Sequence, residues 1–463
     1  MAMKAYESYK NVDLPWLKRV PEHWEIATVN TLFSNNEEKN EQCTVTNAYQ
    51  FKFGKIVKKP NFELTNDLIE TYKNYAVIRP NDIMINGLNL NYDFVTQRVG
   101  IVQEPGIITS SYISIRPYIS TNAKFYTYLF KAWDAQKVFN GMGTGIRRTL
   151  SWKELKQITI PVPPKEEQEQ IVRYLDWQNS RLNKLINAKK KEIALLEEQK
   201  QALISQAVTK GLDPHAPLKD SGIDWIGQIP EHWEINKMNR LFNLIGSGTT
   251  PSSGSIDFYN NGNIPWLNSG DLYGDKPVIE KTAKHITELA LNSFSALKLY
   301  NADSIAIAMY GASVGNISIV PFEFCCNQAC CVFSKQIKNL SLKYAYYAVI
   351  AGKKDLIEQA KGGGQPNINQ DILKQFRLPL PPVHEQKRIV DCLDKQCAII
   401  DNSIANINKT ISLLKEYRTR LVADVVTGQI DVRHIAIPNY ETITETIDQP
   451  ETDEESSICT EDQ

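Results

Sequence analysis

The sequence lacks several features that define common protein classes. No run of 18 or more apolar residues occurs among its 463 residues, so no segment is long enough to span a bilayer as a helix. The first residues lack the apolar stretch of a signal peptide. Its eight cysteines are irregularly spaced, which is typical of a reduced protein rather than a disulfide-bonded scaffold. We therefore expect a cytoplasmic protein that is not inserted in a membrane.

Signatures of catalysis are also missing. The chain has no Gly-x4-Gly-Lys-Ser/Thr phosphate loop, and the glycine-rich segment 141–145 has no lysine and is predicted to be a flexible turn. The Asn/Asp-Pro-Pro-Tyr/Phe motif typical of adenine methyltransferases does not occur, because Leu380 precedes Pro381-Pro382. A nuclease-like Glu-x-Lys at residues 198–200 falls in a predicted long helix, where a solvated face is the expected role. We predict no catalytic residues in this chain.

Two further groups of residues invite a metal-binding interpretation. Four cysteines lie in a strand-like stretch without Cys-x2-Cys spacing, and we interpret them as buried packing rather than a zinc site. These are Cys325, Cys326, Cys330 and Cys331. His23 and His232 each stand beside a tryptophan, and a structural or docking role is predicted for them. No metal site is expected.

The formal net charge of −1 hides an uneven distribution. Residues 440–463 contain nine acidic side chains and neither lysine nor arginine. Without this tail, 52 basic and 44 acidic residues remain, a net charge of +8. Such a charge is compatible with contacts to phosphates but does not establish them. The tail itself is predicted to be disordered.

Comparison of the chain with itself reveals an internal repeat. The hexapeptide Pro-Glu-His-Trp-Glu-Ile occurs at residues 21–26 and again at 230–235, an offset of 209. Leu-Lys-Gln followed by a proline-rich block occurs at 155–164 and at 373–382, an offset of 218. Two blocks in the same order in both halves indicate a duplication, and the second copy carries nine extra residues between them.

A long helix is predicted after each proline-rich block. Apolar residues recur every seven positions in both segments, which is typical of a coiled-coil seam. The seam residues are Leu175, Leu182, Leu196 and Leu203 in the first helix and Leu393, Ile400, Ile407, Leu414 and Leu421 in the second. The natural partner of each helix is its duplicate, packed antiparallel about a pseudo-two-fold axis. Pairing with another protein is the alternative.

The two halves diverge between the repeated blocks. Residues 27–155 and 236–373 have the strand-like runs and the Gly and Asn turns of mixed α/β globules. Conserved helices joined to divergent globules predict a fixed scaffold that presents two different recognition surfaces.

From about residue 12 to residue 433 the chain resembles the specificity subunits of type I restriction-modification systems. One mark of the resemblance is Asp-Trp-Ile-Gly-x-Ile-Pro-Glu-His-Trp at residues 224–233, with a looser copy at 13–24, and another is Pro-Leu-Pro-Pro leading into Glu-Gln and a long helix. The second divergent region is similar to the family's target-recognition domains at residues 248–251, 264–267, 270–271, 327–328 and 364–368. The first region departs from this pattern, because residues 147–150 (Arg-Arg-Thr-Leu) stand where the second copy has 365–368 (Gln-Pro-Asn-Ile). The two domains are therefore expected to read different bases.

With this resemblance the expected fold is mixed α/β (α+β), with two target-recognition domains joined by two long antiparallel coiled-coil helices. It is an internal tandem repeat with pseudo-two-fold symmetry. The expected divisions are the first target-recognition domain at 1–163, the first helix at 164–210, a linker and the second target-recognition domain at 211–381, the second helix at 382–430 and an acidic tail at 431–463.

The resemblance also implies a function. Such a chain is a non-catalytic subunit that reads a split, asymmetric target in double-stranded DNA, with one domain for each half-site. Its helices would dock two methyltransferase (modification) subunits, which join restriction (nuclease/translocase) subunits. No cofactor is expected in this chain, whereas S-adenosylmethionine, ATP and Mg²⁺ are expected in the partner subunits. The alternatives are a coiled-coil scaffold with no DNA role and a self-contained methyltransferase-nuclease fusion.

Candidate DNA contacts are polar side chains on predicted loops, because hydrogen-bonding groups read base edges. In the first domain they are Asn86, Asn89, Asn91, Tyr92, Arg98, Arg147 and Arg148. In the second they are Thr249, Thr250, Ser252, Asn268, Asp271, Tyr310, Ser313, Asn316, Gln365 and Asn367. For each of them, the alternative is that it caps a turn or stays solvated. Phosphate contacts are expected from Lys52, Lys55, Lys58, Lys59 and Lys361.

Overall fold

A computed structural model describes residues 4–14, 16–60, 63–95, 97–143, 148–274, 276–359 and 367–446. The chain forms two compact units: unit 1 is residues 1–190 with 408–463, and unit 2 is residues 191–407. Both contain strands and helices, which confirms the mixed α/β fold class. Among the described residues, no helix is both long and apolar enough to cross a membrane.

Unit 1 begins with a series of short strands and helices. In chain order they are β1 (Tyr9–Leu14), β2 (Leu17–Pro21), β3 (Glu25–Thr28), α1 (Val29–Leu32), β4 (Phe33–Asn35), β5 (Tyr49–Lys52), β6 (Lys55–Lys58), α2 (Asn66–Lys73), β7 (Ala76–Ile78), β8 (Ile83–Ile85), β9 (Val99–Ile101), β10 (Gly106–Ile108), β11 (Ile113–Pro117), α3 (Ala123–Ala135), a 3-10 helix (Phe139–Gly141), α4 (Trp152–Leu155) and β12 (Thr159–Val162). The first long helix, α5 (Lys165–Lys210), follows at once.

Unit 2 contains the second part of α5 and then repeats this order with local differences. Its elements are β13 (Leu218–Asp220), β14 (Gln228–Pro230), β15 (Glu234–Lys237), α6 (Met238–Leu241), β16 (Phe242–Gly246), a 3-10 helix (Ile256–Phe258), β17 (Ile264–Leu267), a 3-10 helix (Ser269–Leu272), β18 (Lys284–Ile286), α7 (Glu288–Ser293), β19 (Ser304–Ala308), β20 (Ile317–Val320), β21 (Cys325–Cys326), β22 (Cys330–Gln336), α8 (Leu342–Ala351), α9 (Lys353–Glu358), α10 (Gln370–Gln375) and β23 (Arg377–Leu380). The second long helix is α11 (Val383–Val426).

The duplication extends to the divergent regions. Unit 1 contains an antiparallel sheet of four strands in the order β4-β11-β8-β9, and unit 2 contains one in the order β16-β22-β19-β20. The registers also correspond, because Ile83 pairs with Ile115 as Ile305 pairs with Phe333. Sequence comparison does not reveal this common sheet, since its strands keep an apolar character rather than particular residues.

The repeated blocks form a second common feature. Strand β3, which follows the first Pro-Glu-His-Trp box, pairs with β12 of the first proline-rich block. Strand β15 pairs with β23 of the second block in the same register, with Glu25 opposite Val162 and Glu234 opposite Leu380. The blocks are therefore similar because they are paired strands that lead into the long helices.

The two long helices pack against each other in opposite directions within each unit. In unit 1, Leu175 near the start of α5 shares a buried cluster with Leu421 and Val425 near the end of α11. In unit 2, Val208 near the end of α5 shares a cluster with Leu393 of α11, and Lys200 Nζ lies 2.7 Å from an Asp401 carboxylate oxygen. This arrangement agrees with the predicted mutual antiparallel pairing.

The predicted seam faces this interface to different degrees. Six of its residues are buried: Leu175, Leu182, Leu393, Ile400, Ile407 and Leu421. Leu196, Leu203 and Leu414 are half-buried. The helix bounds of 165–210 and 383–426 lie within a few residues of the expected 164–210 and 382–430. The seven-residue periodicity therefore located both helices.

Each Pro-Glu-His-Trp box is fixed to the first turn of a long helix. The Trp24 indole N–H donates to the Glu167 carboxylate at 3.0 Å, and His23 Nε2 lies 2.7 Å from the same group. In unit 2, Trp233 donates to Glu385 at 2.9 Å, and its neighbour His232 is 2.7 Å from that carboxylate. Both tryptophans are fully buried in their cores. This contact gives the repeated histidines a structural role.

The segment after α11 differs from the disordered tail expected from residue 431. Ser180 and Asn183 of α5 donate to the carbonyls of Glu441 and Ile443 at 2.6 and 2.8 Å. Glu445 pairs with Arg418 at 3.0 Å. Composition did not reveal this order because the stabilising partners are helix side chains far away in sequence. The rest of the predicted tail, residues 447–463, lies outside the described residues.

One cross-strand pair differs between the two sheets. In unit 1 the Arg116 guanidinium donates two hydrogen bonds of 2.9 Å to the carboxylate of Asp82, which is 1% exposed. At the equivalent position of unit 2, the buried Ser304 hydroxyl donates to that of Ser334 at 2.8 Å. Unit 1 thus depends on a buried ion pair where unit 2 uses two neutral groups.

Replacing Glu385 with alanine should destabilise unit 2 by about 1–3 kcal/mol, because the buried Trp233 N–H loses its acceptor. Burial by itself raises the pKa of Glu385, but the hydrogen bonds from Trp233 and His232 hold it below its usual value. A depressed pKa means that the carboxylate stabilises the fold above the unfolded value, roughly 4.3, and that this is lost as the pH falls through the folded value. Denaturant unfolding should therefore show a smaller gap between wild type and Glu385→Ala at low pH than at neutral pH.

Glu416→Ala, at an exposed position of the same helix, is the matched control and should unfold like wild type at both pH values. A gap for Glu385→Ala that is equal at low and neutral pH would contradict the carboxylate role.

Arg116→Ala should destabilise unit 1 by about 3 kcal/mol, because it leaves the buried Asp82 carboxylate without its cation. The double variant Asp82→Ser/Arg116→Ser, which copies unit 2, should be less destabilised than Arg116→Ala. Amide hydrogen exchange in β8 and β11 measures both effects. Arg173→Ala removes an exposed arginine of unit 1 that lies outside this ion-pair network and serves as the control. A double variant that is worse than the single one would contradict this account.

Candidate nucleic-acid interface

In unit 1, the loop between β8 and β9 collects most of the predicted DNA contacts. Tyr92 is 71% exposed, and Asn89 is exposed with a positive φ of 53°. Asn86 and Asn91 are half-buried, and the Asn86 side chain accepts a hydrogen bond from the backbone N–H of Leu88 at 3.0 Å. The loop therefore presents polar groups, but Asn86 is engaged in shaping it.

Arg98 does not have the position expected of a residue that reads DNA. Its side chain is 1% exposed, and its guanidinium donates to the carbonyls of Asn86, Leu88 and Asp93 at 3.1, 2.8 and 2.6 Å. Three backbone carbonyls that need a donor explain why an arginine is buried here. The prediction of a direct base contact is therefore wrong for Arg98, which stabilises the loop backbone through hydrogen bonds.

The segment before α4 lies against the same loop. The Leu90 N–H donates to the Arg148 carbonyl at 3.0 Å, and the Leu150 N–H donates to the Gly87 carbonyl at 2.9 Å. The Arg148 side chain is exposed. Arg147, the other predicted arginine, lies outside the described residues. The structure thus brings Arg148 beside the loop from a position about 50 residues away.

A basic hairpin adjoins this loop. Strands β5 and β6 pair through a two-residue turn at Phe53 and Gly54, both with positive φ. A Cβ at Gly54 would lie 3.0 Å from the Gln97 side chain, so the turn and the end of the loop are in close contact. The hairpin side chains of Lys52, Lys55 and Lys58 are exposed, and Lys59 lies over the ring of Tyr75. Exposed lysines beside a polar loop suit a phosphate backbone.

Unit 2 presents an equivalent loop between β19 and β20. The Ile368 N–H donates to the Met309 carbonyl at 2.8 Å, as Leu150 does to Gly87 in unit 1. This contact places the exposed Asn367 beside the loop. Gln365 and Lys361 lie outside the described residues. The same two segments thus meet in both units.

The predicted residues on this second loop are less exposed than expected. Tyr310 is half-buried, and Ser313 is buried. Asn316 accepts a hydrogen bond from Lys353 Nζ at 2.7 Å. Tyr310 and Asn316 keep part of their surface, whereas burial of Ser313 excludes the direct base contact predicted for it.

The remaining candidates of unit 2 lie around a different turn. The Asn268 N–H donates to the Asp271 carboxylate at 2.8 Å, and the same carboxylate accepts from Ala283 N–H at 3.0 Å. Asp271 therefore caps a short helix, which was the alternative interpretation of that residue. Gly248 has a comparable structural role, because a Cβ there would lie 1.7 Å from the Cys326 carbonyl oxygen.

Several polar side chains surround that turn, and some of them are exposed. Thr250 donates to the Gln328 side chain at 2.7 Å, and Asn327 donates to Asn268 at 3.3 Å. Ser252 is exposed nearby in sequence, and Thr249 is half-buried. Gln328 was not among the predicted contacts, although it belongs to the Asn-Gln pair at 327–328 that carried part of the resemblance. That motif was the signal in the sequence from which Gln328 could have been predicted.

The four cysteines at 325, 326, 330 and 331 lie in the core of unit 2. All are fully buried, as predicted, and burial raises the pKa of the Cys325 and Cys331 thiols to about 12. Among the described residues, no group of three or more His, Cys, Asp or Glu side chains is placed to hold a metal ion. The thiols therefore act as small apolar groups.

Comparison with known proteins finds the same family domain in both halves of the chain. The family model of the type I restriction modification DNA specificity domain matches residues 21–195 and 230–413. The type I restriction enzyme MjaVIII specificity subunit of Methanocaldococcus jannaschii is 23% identical over 90% of this chain and 95% of its own length. The EcoR124I/EcoR124II specificity subunit of Escherichia coli is 27% identical over 58% of this chain and 62% of its own length.

The fold has a counterpart among solved structures. A chain from a structure that describes complex assembly and conformational transition of the type I R-M system superposes with a TM-score of 0.64 at 16% identity. The match covers 89% of this chain and 99% of that chain. Since the family model accounts for most of both units, this chain belongs to the family of type I restriction-modification DNA specificity subunits, which recognise DNA and are not themselves catalytic.

Proposed function

We propose that this specificity subunit reads a split, asymmetric target in double-stranded DNA, with one unit for each half-site. The observation that carries the proposal is the pair of equivalent loops, β8–β9 and β19–β20, each joined to the segment before a proline-rich block. The two surfaces have the same backbone framework and different side chains, such as Arg148 in one and Asn367 in the other. Equal frameworks with unequal side chains suit two unlike half-sites.

The long helices are the proposed spacer between the half-sites. Helices of 46 and 44 residues extend for roughly 69 and 66 Å at 1.5 Å per residue. Both carry the chain from one unit to the other. Their length therefore sets how many unread base pairs separate the two half-sites. The proposed location of the protein is the cytoplasm, where DNA is accessible to it.

The same helices are the proposed docking surface for two methyltransferase subunits, which join the restriction subunits. Large apolar side chains remain exposed along their middle sections: Leu185, Leu195, Ile399 and Leu413. Exposed apolar residues on paired helices favour a further protein partner. In this assembly S-adenosylmethionine, ATP and Mg²⁺ belong to the partner subunits, and the present chain contributes the choice of sequence.

Exchanging residues 27–155 for those of another family member should change one half-site and leave the other unchanged. The measurement is single-molecule sequencing of N6-methyladenine in cells that make the chain with its methyltransferase partner. Wild type should yield a split motif that is methylated only when the chain is present. A change in both half-sites would contradict the modular assignment, and no chain-dependent methylation with an assembled, active partner would contradict the proposed function.

Arg148→Ala should weaken recognition of one half-site only, the one that changes when residues 27–155 are exchanged. If the guanidinium contacts a base, the loss in binding free energy at that half-site should be about 1–3 kcal/mol. Asn367→Ala, on the corresponding segment of unit 2, should affect the other half-site. Each variant is thus the control for the other. Binding of the methyltransferase complex to duplexes with single base changes in each half-site measures both, and equal effects on both half-sites would contradict the assignment.

A further inference from the structure

An exposed apolar tip distinguishes the recognition loop of unit 1. Within the loop between β8 and β9, Tyr92, Phe94 and Val95 are 71%, 53% and 91% exposed. In the equivalent loop of unit 2, Met309 is buried and Val314 is half-buried. Contiguous apolar side chains in solvent are unfavourable for a free protein and usually mark a contact surface. The two recognition surfaces therefore differ in chemistry as well as in sequence.

The tip is held away from the protein by contacts at its base. Leu90 is buried in the core of unit 1, and the buried Arg98 guanidinium holds three carbonyls of the loop. The Asn140 side chain donates to the carbonyls of Leu90 and Asp93 at 2.6 and 3.1 Å, and Lys137 donates to that of Phe94. These contacts anchor the base of the loop while its apolar tip stays in solvent, and an anchored loop loses little conformational freedom when it binds.

The charges around the tip favour DNA as its occupant. The adjoining hairpin exposes Lys52, Lys55 and Lys58, and Phe53 is exposed at its turn. Arg148 lies on the other segment that contacts the loop. An apolar projection flanked by cations fits a duplex, in which base pairs offer apolar faces between two phosphate backbones.

We propose that Tyr92 and Phe94 insert between adjacent base pairs of the half-site read by unit 1 and partly unstack one base step. This inference rests on the proposed function, because it assigns a mode of recognition to the same surface. Unit 1 then reads part of its half-site through the deformability of the DNA, and flexible pyrimidine–purine steps are favoured at the point of insertion. Unit 2, with its polar surface around Thr250 and Gln328, reads by hydrogen bonding.

The test uses the complex of this chain with its methyltransferase partner, bound to the target found by methylation mapping. The fluorescent base 2-aminopurine is placed in turn at each position of both half-sites. Wild type should give enhanced fluorescence at one step of the first half-site in addition to any signal at the adenine that is methylated. Tyr92→Ala/Phe94→Ala should lose the first signal, retain the second and bind the target at least about tenfold more weakly.

A mismatch at the unstacked step provides a second measurement. Because a mismatch lowers the cost of unstacking, wild type should bind the mismatched duplex more tightly than the matched one, and the double variant should not. Ile119→Ala is the matched control, because Ile119 is fully exposed at the opposite end of the same sheet, beyond β11. It should behave like wild type in both measurements.

The outcomes separate this inference from the proposed function. If wild type binds and methylates its target but the double variant keeps the step-specific fluorescence and the preference for the mismatch, insertion is disproved. A double variant that fails to assemble with the methyltransferase in the absence of DNA would show that the tip contacts protein instead. If wild type itself does not bind any duplex, the proposed function fails, rather than this inference alone.

Discussion

The antiparallel pairing of the two long helices is the constraint on which both units depend. Each unit buries the end of one helix against the start of the other, so both helices contribute to each hydrophobic core. Unit 1 is completed by residues that follow Asn408, some 200 positions beyond its other part. The carboxylates of Glu167 and Glu385 connect this helix pair to the sheets, because each accepts from a buried tryptophan of the repeated box. Sequence conservation between the halves is concentrated at these contacts, where both copies must meet the same geometric demand.

Away from these contacts the duplicated sheets have been free to change. The ion pair of Asp82 with Arg116 and the hydrogen bond of Ser304 with Ser334 occupy the same position in two sheets of the same topology. Either solution satisfies the buried polar groups, which is the physical requirement at that position. The scaffold therefore tolerates divergence inside the recognition domains as long as register and polar satisfaction are kept, and the loop side chains can vary independently of it.

The parts of the fold that depend on periodicity could be predicted from the sequence, and those that depend on distant partners could not. Seven-residue spacing located the helices and their seam, and the Asn-Gln and Gly-Thr-Thr motifs marked the turn around Gln328 and Thr250. Arg98 was assigned to DNA because an arginine in a polar loop is usually exposed, yet its guanidinium is buried and donates to three carbonyls of that loop. Asp271 and Ser313 were predicted as DNA contacts because polar side chains on loops are usually exposed, but Asp271 caps a turn and Ser313 is buried. Residues 441–446 are ordered because side chains of α5 bind their backbone, and composition does not reveal such distant partners.

The burial of Arg98 has a consequence for how specificity changes in such a chain. In unit 1 the residue that shapes the loop is separate from the residues proposed to contact DNA, since Arg98 fixes the backbone while Tyr92 and Arg148 face solvent. We therefore expect substitutions at the tip to change the proposed DNA contact without removing the hydrogen bonds that hold the loop. Loss of Arg98, in contrast, removes the donor to the carbonyls of Asn86 and Leu88 and should disturb the whole loop. A framework supported from within is what allows one duplicated scaffold to carry an apolar tip on one unit and a polar surface on the other.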